Sequence, residues 1–149
     1  MGSVHSTGSA THVLPEILTF ADNGKVLLVH GAENGREFWW PPGAYWLAEK
    51  ACDLTEEQPD EWIRRVLKAQ VNLEPTNVRL RSVEFIDRNH PPVMIYEADT
   101  ANRQIPSLNY SFDGAKYFAI ELLPPNLGRD FRHGEWLKSL LSRDSSKRQ

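Results

Sequence analysis

Apolar and polar positions along the chain follow two rhythms, and the change of rhythm marks its elements. Residues 13–20 and 25–30 read as strands, with Ala21-Asp22-Asn23-Gly24 as the turn between them. Asn-Gly suits the positive φ of a tight hairpin. Val26-Leu27-Leu28-Val29 is apolar throughout, which predicts a strand covered on both faces. After a turn over residues 31–35, Arg36 and Glu37 lead into the aromatic run Phe38-Trp39-Trp40, and Pro41-Pro42-Gly43 ends it. Residues 44–56 show no consistent period and read as a long loop. Over residues 59–71 the rhythm becomes helical: Trp62, Ile63, Val66, Leu67 and Gln70 recur at three- and four-residue steps. Pro59 suits the first turn, Asp60 and Glu61 complement the positive helix N-terminus, and Asn72 is a stop signal. Residues 78–86, 93–98 and 110–122 read as strands again. In the first of these, strict alternation puts Val78, Leu80, Ser82 and Glu84 on one face and Arg79, Arg81, Val83 and Phe85 on the other. Residues 134–142 close the chain with a short helix carrying Trp136, Leu137, Leu140 and Leu141.

Two strands, an aromatic strand, a long loop, a helix, three strands and a last helix make an α+β layer order. The 149 residues suffice for one domain with its own core. That domain is read over residues 11–143, between a flexible tail at 1–10 and a solvated C-terminal tail at 144–149. A net charge of −3 and the lack of a dense Lys/Arg run argue against a nucleic-acid partner. No apolar run reaches membrane-spanning length, so no membrane partner is expected. The single cysteine, Cys52, makes no internal disulfide, which points to a reducing, cytoplasmic setting.

Three segments resemble the Nudix hydrolase superfamily. Trp39-Trp40-Pro41-Pro42-Gly43-Ala44 is similar to the Trp-x-Leu-Pro-Gly-Gly entry of the Nudix loop, with Ala44 in place of the box glycine. Glu57, then seven residues, then Arg65, Leu67 and Leu73 resembles the second half of the Nudix box. Residues 115–124, ending in Ile120-Glu121-Leu122-Leu123-Pro124, resemble a late strand of the family. Twelve residues separate Ala44 from Glu57 where the family has five, an insertion of seven. The resemblance implies a Nudix-like mixed sheet sandwiched between helices. It also implies a catalytic helix whose glutamates hold Mg²⁺ or Mn²⁺ against a diphosphate.

Those glutamates are missing. Their positions carry Val66, Ala69 and Gln70, and Asn72 replaces the box glycine. Hard divalent ions need several oxygen ligands, best supplied by carboxylates, and such an ion would lower the pKa of an attacking water. No cofactor is therefore expected. The leading expectation is a divergent Nudix-fold protein without ordinary diphosphohydrolase activity. It would bind a nucleotide-like or apolar small ligand, or carry out an atypical reaction. Candidate ligand contacts are Trp40, Tyr45, Trp46 and Gln70, because aromatic faces stack bases. An alternative is an active hydrolase using Mg²⁺ or Mn²⁺ held by acids of the insertion, with Glu56, Glu57 and Glu61 as the fallback ligands. Glu57, Arg65 and Glu97 are the catalytic candidates, Glu57 and Arg65 being read as an ion pair. A third possibility is a non-enzymatic interaction domain. His5, His12, His30, His90 and His133 are dispersed, without helical metal-ligand spacing.

Overall fold

The computed structural model describes residues 12–21, 23–46, 51–85, 88, 92–100 and 112–148. Seven strands form one mixed sheet: β1 (His12–Phe20), β2 (Val26–Glu33), β3 (Arg36–Trp40), β4 (Cys52–Asp53), β5 (Pro75–Glu84), β6 (Val93–Thr100) and β7 (Gly114–Phe118). Helix α1 spans Pro59–Val71 and α2 spans Phe131–Arg148, with a short 3-10 turn over Ile120–Leu122. The main path through the sheet is β3-β2-β1-β6-β5, while β4 pairs with β1 and β7 with β2. Among the described strands β1 and β6 are the parallel pair, from Leu14 opposite Val93 to Phe20 opposite Asp99.

β2 organises one half of the sheet. Val29 and His30 pair with both β3 and β7, so those two strands lie on opposite edges of β2. Val26 pairs with Phe20 on one edge and Phe118 on the other, which puts β1 on the edge that β3 later takes. β1 and β3 thus diverge from a common line. The chain leaving β3 returns to β1 through the bridge between Gly43 and Glu16. The segment over residues 126–128 then lines the outer edge of β3. Trp39 N–H donates to the Asn126 carbonyl, and Gly128 N–H to the Trp39 carbonyl. This places the start of α2 beside the gap between β1 and β3.

Val26 to Val29 are all buried, in line with an apolar strand covered on both faces. The helix over 59–71 has the predicted bounds. Pro59 stands in its first turn, Gln58 and Glu61 form a capping box, and Asn72 ends it at φ 55° in the left-handed region. Trp62, Ile63, Val66, Leu67, Gln70 and Val71 form its buried face.

Elsewhere the structure departs from the sequence pattern. A register shift between Leu80 and Ser82 breaks the strict alternation of β5, and Leu80, Val83 and Phe85 all end exposed. The strand read at 110–122 is regular only over Gly114–Phe118, then turns at Ile120–Leu122. The final helix begins at Phe131 and runs to Arg148, through the expected tail. The loop over 44–56 includes β4, whose Asp53 and Cys52 pair with His12 and Val13. His90, Glu49 and Asp87 lie outside the described residues.

Gly128 sits at φ 72°, where a Cβ would come within 2.9 Å of the Trp40 ring and 3.0 Å of the His133 Cβ. Gly24 shares a positive φ but has open space around it. Gly128→Ala should therefore cost more in urea unfolding than Gly24→Ala. The backbone term common to both is about 1–2 kcal/mol, and overpacking adds about 1–3 kcal/mol at Gly128 alone.

Candidate functional site

The gap between β1 and β3 is filled by polar groups that the sequence keeps far apart. Glu16 of β1 points into it and is almost fully buried. The Trp40 indole N–H donates to its Oε2 at 3.2 Å. Its Oε1 has no hydrogen bond among the described residues. A Cβ on Gly43 would lie 2.5 Å from that oxygen, so only glycine fits there, at φ 142°. Burial pushes the Glu16 carboxyl up to about 8, against smaller stabilising effects of Trp40, the Tyr45 backbone and the Arg129 charge. At neutral pH it is mostly a neutral acid.

Gln70 of α1 closes the other side of Gly43. Gly43 N–H donates to Gln70 Oε1 at 2.9 Å, and Gln70 Nε2 donates to the Gly43 carbonyl at 3.2 Å. Gln70 is fully buried. This pairing needs one donor and one acceptor, which an amide has and a carboxylate lacks. The loop over residues 41–46 is buried throughout.

Tyr45 extends the cluster toward α2. Its hydroxyl accepts from Arg129 N–H at 2.6 Å and lies 2.6 Å from His133 Nδ1. Burial raises the phenol pKa above its ordinary value. The Arg129 guanidinium stacks on the Tyr45 ring at 4.0 Å, bonds the Tyr45 carbonyl and pairs with Glu33 at 3.1 Å. Trp40 stacks on Tyr45 at 4.2 Å and on Trp136 at 6.1 Å.

The residues singled out in the sequence divide accordingly. Trp40, Tyr45, Trp46 and Gln70 do come together around Gly43, but as buried side chains. Trp46 is stacked on Phe38 at 4.7 Å, with its indole N–H donated to the Pro41 carbonyl. Glu57 and Arg65 form the read ion pair at 2.6 Å, with Arg65 more than half exposed. Glu61 accepts from Gln58 N–H in the helix cap, and Glu56 is exposed. Glu97 belongs to a network on β5 and β6, with Arg79 at 2.7 Å and Arg81 at 3.7 Å. Sequence reasoning missed Glu16, Glu33 and Arg129, and gave His133 no role. Glu16 carried a signal: it interrupts the apolar face of Leu14, Leu18 and Phe20.

This arrangement does not fit the divalent ion of a Nudix helix. Val66 is buried and Ala69 has no ligand atom, while the Gln70 oxygen is taken by the Gly43 N–H.

Comparison with solved structures supplies the family of the fold. A MutT protein from Methanosarcina mazei superposes with a TM-score of 0.59 at 17% identity, over 90% of this chain and 94% of that one. The chain has the Nudix fold. An ADP-ribose pyrophosphatase from Streptococcus suis matches with a TM-score of 0.59 at 19% identity, over 89% of this chain and 92% of its own. The Nudix domain of Shewanella oneidensis NrtR, complexed with ADP ribose, matches with a TM-score of 0.58 at 19% identity, over 89% and 86% of the two chains. No protein-family model and no curated protein matches the sequence.

Two measurements probe the polar cluster of this Nudix fold. Gln70→Glu should destabilise the protein by about 2–4 kcal/mol at pH 8, where the carboxylate cannot donate to the Gly43 carbonyl. Below pH 5 the protonated acid restores the donor, and most of the loss should disappear in urea titrations. Glu16 has a folded pKa raised from 4.5 to about 8. The stability this gives is complete below pH 4.5 and is lost as pH rises through 8, by at most about 1.4 kcal/mol per pH unit. Glu16→Gln should flatten that slope and be the more stable protein at pH 9.

Proposed function

We propose that this Nudix-fold chain is a divergent member of the superfamily that does not perform metal-dependent diphosphate hydrolysis at α1, and that it binds a nucleotide-like or other small ligand. The observation that carries this reading is the amide pairing of Gln70 with the Gly43 peptide, where the resemblance calls for an anionic metal ligand. The NrtR Nudix domain bound to ADP ribose supports a nucleotide-like ligand. The hydrolase alternative, with acids of the insertion, draws on side chains already engaged: Glu57 with Arg65 and Glu61 with the helix cap. A reading as a protein-interaction domain is favoured by one observation, the exposed Leu80 and Val83 of edge strand β5 and Phe85 just after it. No described helix is long and apolar enough to cross a membrane. We assign the cytoplasm on the strength of the single, buried thiol of Cys52.

With Mg²⁺ or Mn²⁺ present, ADP-ribose and diadenosine tetraphosphate should give no phosphate or AMP release above a buffer blank. ADP-ribose should raise the melting temperature without added metal. Turnover that depends on the metal would overturn the non-hydrolytic reading. Stabilisation by neither nucleotide would leave the exposed β5 surface as the better account.

A further inference from the structure

On the opposite face of β2 and β3, His30 stands between two carboxylates. Val29, Gly31, Phe38 and Trp40 point to the Trp46 side of these strands, so His30, Glu37 and Trp39 point away from it. His30 Nδ1 lies 2.5 Å from Asp113 Oδ1, and Nε2 lies 3.6 Å from Glu37 Oε1. One donor atom from each of the three residues falls within 4.8 Å of the others. The imidazole is mostly buried, while both carboxylates are exposed.

The setting is rigid. His30 faces Trp39 and Gly114 in the β2–β3 and β2–β7 ladders, and Asp113 N–H donates to the His30 carbonyl. The Trp39 ring lies against the imidazole at 4.9 Å. Gly114 leaves the room for this: a Cβ there would stand 3.3 Å from the His30 Cβ and 3.4 Å from the Trp39 ring. Three strands therefore fix the ring plane before any ligand arrives.

The hydrogen bonding singles out the open side of the ring. At 2.5 Å from a carboxylate, Nδ1 is the nitrogen that donates to Asp113. Nε2 is left facing the Glu37 carboxylate across 3.6 Å, a gap that a proton on the imidazole or a metal ion bridges. A metal ion there takes one ligand atom from each residue. Carboxylate, imidazole and metal in a row is also the arrangement in which a second carboxylate fixes the tautomer of a ligating histidine.

We infer that His30 Nε2 and Glu37 bind a divalent transition-metal ion of the zinc type, with Asp113 orienting the imidazole and water completing the coordination. An imidazole paired with carboxylate oxygen suits zinc, cobalt or manganese better than magnesium, which takes oxygen alone. The site has no part in the Gly43 cluster, so it stands or falls independently of the proposed ligand function.

Calorimetry with Zn²⁺ and visible spectroscopy with Co²⁺ test it on the full chain. One equivalent should bind near neutral pH and be insensitive to excess Mg²⁺. His30→Ala should abolish binding. Asp113→Asn should weaken it by about 10–100-fold, the usual effect of losing the group that orients a ligating histidine. His12→Ala, which removes the imidazole 3.6 Å from Asp53, should leave it unchanged. Circular dichroism and the melting temperature report whether each variant folds. If His30→Ala melts near the parent and still binds zinc, or if the parent binds neither ion, the inference is wrong. It is equally wrong if zinc leaves the His30 ring resonances unmoved in NMR.

Discussion

The rest of the site depends on one amide meeting one peptide group. Gln70 offers Gly43 an acceptor and a donor at once, and Gly43 answers with its N–H and its carbonyl. Because Gln70 is carried by the buried face of α1, this pair fixes the loop after β3 to the helix. The same glycine bridges to Glu16 on β1, so strand, loop and helix meet at one residue without a Cβ. A side chain there would strike the Glu16 carboxyl before it reached anything else. Neutral hydrogen bonds thus hold the loop, the strand and α1 together at this point.

Electrostatics around Gly43 are consistent with that. A buried carboxyl with one unfilled oxygen avoids its desolvation penalty by keeping its proton, and Glu16 does so with an indole N–H and a nearby guanidinium still in place. Arg129 spends most of its charge elsewhere, on Glu33 and the Tyr45 ring. The acids that remain charged stand outside the cluster: Glu57 with Arg65 at the start of α1, Glu97 with Arg79 and Arg81 on the sheet. Of these pairs, Glu57 with Arg65, whose guanidinium is more than half exposed, adds little to stability. The pairs do take up the carboxylates that a displaced metal site would need.

Much of the frame was legible because it rests on local patterns. The helical rhythm of residues 59–71, its Pro59 start and its Asn72 stop all appear at the predicted places. The apolar run at residues 26–29 gave a strand buried on both faces. Alternation failed in β5, where one register shift reassigns every later side chain. Tyr45 and Trp46, read as ligand contacts beyond the strand, are buried where the loop returns to β1. Arg129 and His133 reach Tyr45 from more than eighty positions away, and spacing carries no trace of such a contact. Glu16 was the exception: an acid on an otherwise apolar strand face marks an internal partner before any fold is known.

The two faces of β2 and β3 explain how one hairpin can hold opposite chemistries. Adjacent residues point to opposite sides, so Trp40 and Trp39 share a backbone and almost nothing else. Trp40 joins a closed cluster whose acid is desolvated and whose phenol is hydrogen-bonded to a histidine. Trp39 packs on a histidine flanked by two carboxylates that reach water. Burial decides the outcome on each side. Where water is excluded, carboxyls take up protons and amides replace anions. On the other face the Glu37 and Asp113 carboxylates stay in water on either side of the imidazole. The inferred cation therefore lies on the face away from α1, while at the helix face the Gln70 amide already satisfies the Gly43 peptide.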